Sequence, residues 1–207
     1  MRALAIPPDA HDEFADHLDA MHRLRARIFK GRLGWNVVTT GGRETDEFDA
    51  LKPTYILAIS SVREVVGCAR LLPASGPTMI EVMFPDLVER GEFEPHPGMI
   101  ESSRFCVDTS LDEGRAGGSL HDATLTMFAA IIEWSMANGY REVVTGTDLR
   151  IERILKRAGW PLRRIGEPRR IGGTMAVAGS LSADRASFER VLPASYRSNF
   201  CQQLRAA

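Results

Sequence analysis

Three ionisable side chains sit inside strand-like runs that are otherwise apolar. Arg70 lies in GCARLLPASGPTM (67–79), and Glu101 and Arg104 lie in IESSRF (100–105). A charge without a partner in an apolar setting is expensive, so a fold containing these strands must bring the three onto partners or line a polar cleft with them. Upstream segments offer the partners: RLRARIF (23–29), then Trp35, then ETDEFD (44–49). A polar cleft inside the domain is the expectation.

The chain of 207 residues is long enough to bury a sizeable core. It shows no repeats and no linker-like stretch. One unit is expected over residues 1–183, with 184–207 as a C-terminal helix and tail on the same domain and the last fifteen residues peripheral. The longest apolar stretches fall short of the roughly 20 residues that span a bilayer. The start, MRALAIPPDAHDEF, has prolines and acids where an export signal has its apolar stretch. Cytoplasm is the expected location, with no membrane partner. Cys68, Cys106 and Cys201 follow no metal-ligand spacing, so no metal site is expected, and Cys68 and Cys106 read as reduced, buried cysteines. A net charge of −1 removes the broad attraction that nucleic-acid binding needs. Charge is uneven, however: residues 150–170 carry eight Lys and Arg against Glu152 and Glu167, a basic surface suited to an acidic partner.

Apolar residues Phe14, Leu18, Met21, Leu24 and Ile28 recur at helical spacing. Residues 55–60 and 65–72 read as a hairpin across SVRE, followed by a turn at 73–78 and a strand at 99–107. A glycine-rich loop precedes a long helix at about 119–137 that Asn138-Gly139 closes. A strand follows at 141–146, then a helix that Asp148 caps and Ala158-Gly159 stops. Strands near 161–166 and 173–181 and a helix from 184 complete the order. This is an α/β arrangement: a mixed, mostly antiparallel twisted sheet with helices on both faces.

That order resembles the acyl-CoA N-acyltransferase (GNAT) superfamily, a likeness that implies a V-shaped opening between two central strands. The residues add more. Arg25, Phe29, Trp35, Asp46, Asp49, Arg70, Glu101 and Arg104, with the flanking RLGW, ARLLPASGPTM and ESSRF, resemble in order and spacing the acyl-homoserine-lactone synthases, which make quorum-sensing signals. The resemblance covers roughly residues 20–165. It implies transfer of an acyl chain from a thioester, usually on acyl carrier protein, to the α-amine of S-adenosylmethionine, then lactone closure with loss of methylthioadenosine. S-adenosylmethionine is then a substrate, and no further cofactor is implied beyond the pantetheine arm that carries the acyl group.

These residue types suit that chemistry. An α-amine of pKa about 7.7–8.0 needs only a modest carboxylate base, for which Glu101 is the first candidate and Asp46 the second. Backbone N–H groups on an irregular strand near 101–104 would meet the negative charge formed on the thioester oxygen. Arg25 and Arg104 are candidates to hold the substrate carboxylate, and Phe29 and Trp35 to lie against the sulfonium or adenine. Arg70 and Asp49 read as support, or simply as a buried ion pair. The basic helix Arg150, Arg153, Lys156 and Arg157 suits an acidic acyl carrier protein, or is a solvated face. Thr145 falls where the family often has threonine in enzymes that take chains oxidised at the third carbon, though a strand also favours such a residue. Leu125 and Phe128 are candidate chain walls and equally core residues.

Two other readings stand beside this one. An acetyl-CoA-dependent N-acetyltransferase would show R/Q-x-x-G-x-G/A before the long helix, where RAGGSL (115–120) places Leu120 at the last glycine or alanine. That departure weakens the phosphate grip, although a CoA thioester remains an alternative donor. A non-catalytic binding module is disfavoured because Asp46, Glu101 and Arg104 are all present.

Overall fold

A computed structural model describes residues 1–110 and 120–200. In chain order the elements are β1 (Arg2–Ile6), α1 (Ala15–Arg25) continued by a π-type turn across Ala26–Arg32, a small hairpin of β2 (Thr39–Thr40) and β3 (Arg43–Glu44), β4 (Thr54–Ile59), β5 (Val65–Pro73), α2 (Met79–Met83) and β6 (Met99–Val107). There follow α3 (Asp122–Ala137), β7 (Glu142–Asp148), α4 (Leu149–Arg157), β8 (Arg163–Arg164), β9 (Arg169–Ile171), β10 (Thr174–Ser182) and α5 (Arg185–Val191). Among the described residues, no helix is long and apolar enough to cross a membrane.

The main sheet runs β1-β4-β5-β6-β7-β10-β8, with β9 also on β10. Every residue of β4 is buried because both faces of the sheet are covered. Alternation then divides its side chains: Tyr55, Leu57 and Ile59 pack with Met21, Leu24 and Phe29 on the α1 side, while Ile56 and Ala58 join the α3 core around Met127 and Phe128. The close approach of α3 to β5 requires Gly67, where an added Cβ would lie 2.9 Å from Met127 Cγ. Capping fixes the helix starts: as the sequence implies, Asp148 Oδ1 accepts the Ile151 N–H at 2.7 Å, and in the helix expected from 184 Asp184 Oδ1 accepts the Ser187 N–H at 2.7 Å.

Two features of β6 shape the site. It pairs with β7 in parallel at Met99↔Glu142, Ile100↔Val143 and Glu101↔Val144; beyond these the two strands no longer pair with each other, and this parting is the V-shaped opening. On its other edge β6 pairs with β5 at Cys68↔Cys106 and Arg70↔Ser103, so Ala69 alone faces both Arg104 and Phe105. The extra residue is a β-bulge, and Arg104 takes a left-handed φ of 53° there. Bulging lets neighbours Ser103 and Arg104, which would otherwise alternate, both reach the Arg70–Asp46 side.

Several local expectations change. Residues 2–6, to which the sequence reading assigns no strand, form β1 and pair along β4. Residues 193–200 are not peripheral: Tyr196 donates to Glu133 Oε2 at 2.6 Å, Arg197 O accepts the Ala3 N–H at 2.7 Å, and Phe200 is buried. Residues 201–207, including Cys201, and Arg115–Ser119 of the RAGGSL segment lie outside the described residues. Cys68 and Cys106 are free and buried, with sulfurs 3.5 Å apart across β5 and β6.

Candidate active site

Six charged residues from four separate segments meet beside the bulge. Arg25, at the end of α1, donates from Nε to Glu44 Oε2 at 2.5 Å and from Nη1 and Nη2 to Asp49 at 2.8 and 3.0 Å. Arg70, on β5, donates to Asp46 Oδ1, to Asp49 Oδ1 at 3.0 Å and to Ser103 Oγ at 3.1 Å. Arg104 places Nη2 2.7 Å from Asp46 Oδ2 and Nε 3.2 Å from Glu44 Oε1. The short 3₁₀ turn at Glu47–Leu51 holds the acids by a reciprocal cap: Asp46 Oδ1 accepts the Phe48 N–H, and Asp49 Oδ2 the Asp46 N–H. Three guanidinium groups thus face three carboxylates.

Burial pushes the Asp49 carboxyl up, but the Arg25 hydrogen bonds and the Arg25 and Arg70 charges outweigh it and hold the group well below the usual carboxylate range. Tyr55 donates to Asp49 Oδ1 at 2.8 Å. Burial and the Asp49 charge push its phenol well up, so it stays a donor.

The sequence expectation for Glu101 is reordered. Its side chain is 1% exposed, and its two oxygens accept the Met79 and Ile80 N–H groups at 2.8 and 2.9 Å, anchoring the start of α2. Burial pushes this carboxyl up despite those bonds. Glu101 therefore reaches the cluster indirectly, through Met79, whose sulfur lies 3.6 Å from Arg70 Nη2 and 3.7 Å from Arg104 Nη1. Arg25 is likewise displaced from the expected contact with a substrate carboxylate, since it is fully enclosed and its three nitrogens are committed to Glu44 and Asp49. Asp46, Asp49 and Arg104 are the partly open members, with side chains 11%, 11% and 13% exposed; both Asp49 oxygens are taken by Arg25, Arg70, Tyr55 and the Asp46 N–H, which leaves the Asp46–Arg104 pair as the open edge.

Phe29 is buried between Arg104, 5.8 Å from its ring centre, and the half-buried Trp35, stacked at 5.1 Å. Of the expected aromatic pair, only Trp35 retains open surface. Thr145 sits on β7 one residue past the last β6–β7 pair and is half-buried. Leu125 is half-buried on α3, whereas Phe128 is a core residue between Phe105 and Trp160, with ring centres 5.4 and 5.7 Å away. Arg150, Arg153, Lys156 and Arg157 are all exposed on α4. Beyond them, Arg164 is paired with Glu152 at 2.6 Å and Arg163 with Glu142 at 3.3 Å.

Glu44, Tyr55, Met79 and Ser103 are cluster members that the sequence reading does not single out. Glu44 had a signal, as the first acid of ETDEFD upstream of a wholly apolar strand. The other three become visible only once β4, β5, β6 and α2 are assembled.

An open mixed sheet in this order, helices on both faces, and two strands parted beside a charged cluster define a GNAT-like acyltransferase fold. The chain belongs to the autoinducer synthase family, whose profile matches residues 10–191. It is 59% identical over 198 residues to an acyl-homoserine-lactone synthase of Agrobacterium fabrum, covering 96% of this chain and 94% of that protein. Among solved structures, the AHL synthase LasI superposes with a TM-score of 0.79 at 32% identity, covering 91% of this chain and 93% of LasI. TofI, solved in a ternary complex with an inhibitor and MTA, superposes with a TM-score of 0.74 at 26% identity, covering 92% and 96%. The family's activity, acyl transfer in the synthesis of an acyl-homoserine lactone, is this chain's activity.

Proposed function

We propose that the acyl acceptor is S-adenosylmethionine and that the acyl donor is a thioester on acyl carrier protein. The observation carrying this reading is the partly open Asp46–Arg104 edge of the charge cluster, set on the bulge of β6 where β6 and β7 part. TofI supports the choice of acceptor, because its ternary complex holds MTA and the proposed reaction releases methylthioadenosine (MTA).

Asp46 takes a proton from the substrate's α-ammonium, a task within reach of a carboxylate acting directly or through water. The freed amine attacks the thioester carbonyl, the C–S bond breaks, and the sulfur leaves as the thiol, taking up the second proton that the nitrogen sheds on becoming an amide. Backbone N–H groups on the bulged edge of β6 face the negative charge that forms on the carbonyl oxygen. Lactone closure then needs positioning above all: the substrate carboxylate attacks the carbon next to the sulfonium, and methylthioadenosine leaves. Arg104 aims that carboxylate. Arg25, Arg70, Asp49 and Glu44 hold the reacting pair in place, and Glu101 anchors α2 behind them.

The acyl chain enters the opening between β6 and β7, with Thr145 at its vertex and the half-buried Leu125 on the α3 side, backed by the core residue Phe128. The exposed Arg150, Arg153, Lys156 and Arg157 face of α4, on the segment following β7, receives the acidic carrier protein. No cofactor takes part in this scheme, and both substrates place the reaction in the cytoplasm.

Purified protein incubated with S-adenosylmethionine and either acyl–acyl carrier protein or acyl-CoA tests the proposal. Methylthioadenosine and N-acyl-homoserine lactone should form in equal amounts, faster with the carrier protein. Lactone formation with CoA thioesters alone would overturn the donor, and no methylthioadenosine with either donor would overturn the acceptor.

A further inference from the structure

We propose that Arg104 exchanges partners during the reaction: its guanidinium occupies the seat on Asp46 and Glu44 that the substrate's α-ammonium takes, and once displaced it turns to the substrate's carboxylate. The inference rests on S-adenosylmethionine being the acceptor and adds a mode of substrate selection to it.

The three arginines of the cluster are held very differently. Arg25 and Arg70 are fully enclosed and locked by aligned hydrogen bonds, to Glu44 and Asp49 in one case and to Asp46, Asp49 and Ser103 in the other. Arg104 has charge proximity without alignment. Its Nε and Nη2 lie 3.2 and 2.7 Å from Glu44 Oε1 and Asp46 Oδ2, yet Arg104 Nε, Glu44 Oε1 and Asp46 Oδ2 are all buried without an aligned hydrogen bond. Buried polar atoms in that state carry a cost that better-directed partners would relieve. The backbone agrees, because Arg104 holds a left-handed φ of 53° at the bulge. Residues other than glycine keep such a conformation where the surroundings enforce it, often at a site of function. The remaining contacts of its guanidinium are soft: the Phe29 ring at 5.8 Å and the Met79 sulfur at 3.7 Å.

Charge counting points the same way. Arg25, Arg70 and Arg104 balance Glu44, Asp46 and Asp49, so an incoming ammonium finds no free carboxylate and an incoming carboxylate finds no free guanidinium while Arg104 stays in place. Exchange keeps every charge paired: ammonium on Asp46 and Glu44, substrate carboxylate on Arg104, and the sulfonium left for the half-buried face of Trp35. It also couples recognition to chemistry, since Asp46 meets the ammonium only when the ligand offers Arg104 a replacement carboxylate. A ligand with the ammonium and sulfonium but no carboxylate must evict Arg104 and give it nothing.

Calorimetric titration of the intact chain with S-adenosylmethionine and with decarboxylated S-adenosylmethionine provides the test, repeated on Arg104→Ala and on Arg104→Gln. Removing an internal competitor restores the competent fraction of the site, so the decarboxylated ligand should bind the variants about tenfold or more tightly than it binds the parent. S-adenosylmethionine should instead lose about tenfold or more, for want of its carboxylate partner. This crossover is the expected result. Weakening of both ligands by either folded variant would overturn the exchange while leaving the acceptor intact. No binding of S-adenosylmethionine by the parent would overturn the acceptor itself. Should neither variant fold, the parent alone decides: equal affinity for the two ligands would overturn the exchange.

Discussion

Asp49 is the acid of the cluster that pairs with both enclosed arginines, Arg25 and Arg70, and Asp49→Asn isolates its charge with almost no change of shape. The carboxylate accepts from Arg25 Nη1 and Nη2, from Arg70 Nη1, from the Tyr55 hydroxyl and from the Asp46 N–H, at 2.8 to 3.0 Å. An amide offers one acceptor oxygen and turns an NH₂ toward guanidinium donors, leaving Arg25 with Glu44 as its one hydrogen-bonded carboxylate and Asp46 at 3.9 Å. Breaking a buried ion pair on one side typically costs about 3–5 kcal/mol. For a chain of this size each kcal/mol shifts Tm by about 2–4 °C, so a fall of about 6–20 °C is expected. The pH dependence has a definite sign. The folded carboxyl is held below its unfolded value of about 3.9, so its contribution is present above that pH and is lost as pH falls toward the folded value. Urea titrations of parent and variant between pH 7 and pH 3 should therefore show a wide gap in midpoint down to about pH 5 that narrows below pH 4. A gap below about 1 kcal/mol at pH 7, the range of exposed pairs, or one that does not change with pH, would refute the reasoning.

Glu101→Gln removes one of the two acceptors that hold the Met79 and Ile80 N–H groups, at a cost of about 1.5–3 kcal/mol in stability. Its rate should fall without moving the acid limb of the pH–rate profile, and loss of that limb would restore Glu101 as the base. Arg153→Glu with Lys156→Glu should raise the KM for acyl–acyl carrier protein several-fold, less so at high salt, and spare an acyl-CoA substrate. An equal effect on both donors would remove α4 as the docking face. Thr145→Val should lower kcat/KM for 3-oxo chains relative to unsubstituted ones by about 5- to 10-fold, the value of one hydrogen bond, as read by competition between the two carrier-bound chains. An unchanged ratio would exclude the hydroxyl from chain selection.

Much of the fold was legible because its central elements are locally consistent. The hairpin of β4 and β5, the strand β6, the long apolar α3, and Asp148 at the cap of α4 all follow from composition and spacing within each segment. β1 was not legible, because a five-residue strand ahead of Pro7 and Pro8 becomes a strand only through distant pairing with β4. The tail was misread for a related reason: Tyr196 and Phe200 look unremarkable until α3 and α5 give them a surface. At the site, residue types were readable and their orientations were not. Nothing local to IESSRF announces a bulge at Arg104, and nothing in PTMIEVM announces that the first turn of a five-residue helix takes up both oxygens of Glu101. Of the charged residues in apolar strands, Arg70 and Arg104 lie in the cluster and Glu101 lies behind it, an arrangement that depends on contacts between segments far apart in sequence.

The most direct measurement is a crystal structure of the protein with S-adenosylmethionine or a non-reactive sulfonium analogue. The α-nitrogen should lie within about 3 Å of Asp46, with the carboxylate on Arg104 rather than on the enclosed Arg25. Ligand density away from the Asp46–Arg104 edge, or an α-nitrogen bonded to Glu101 instead, would contradict the placement of the reacting amine.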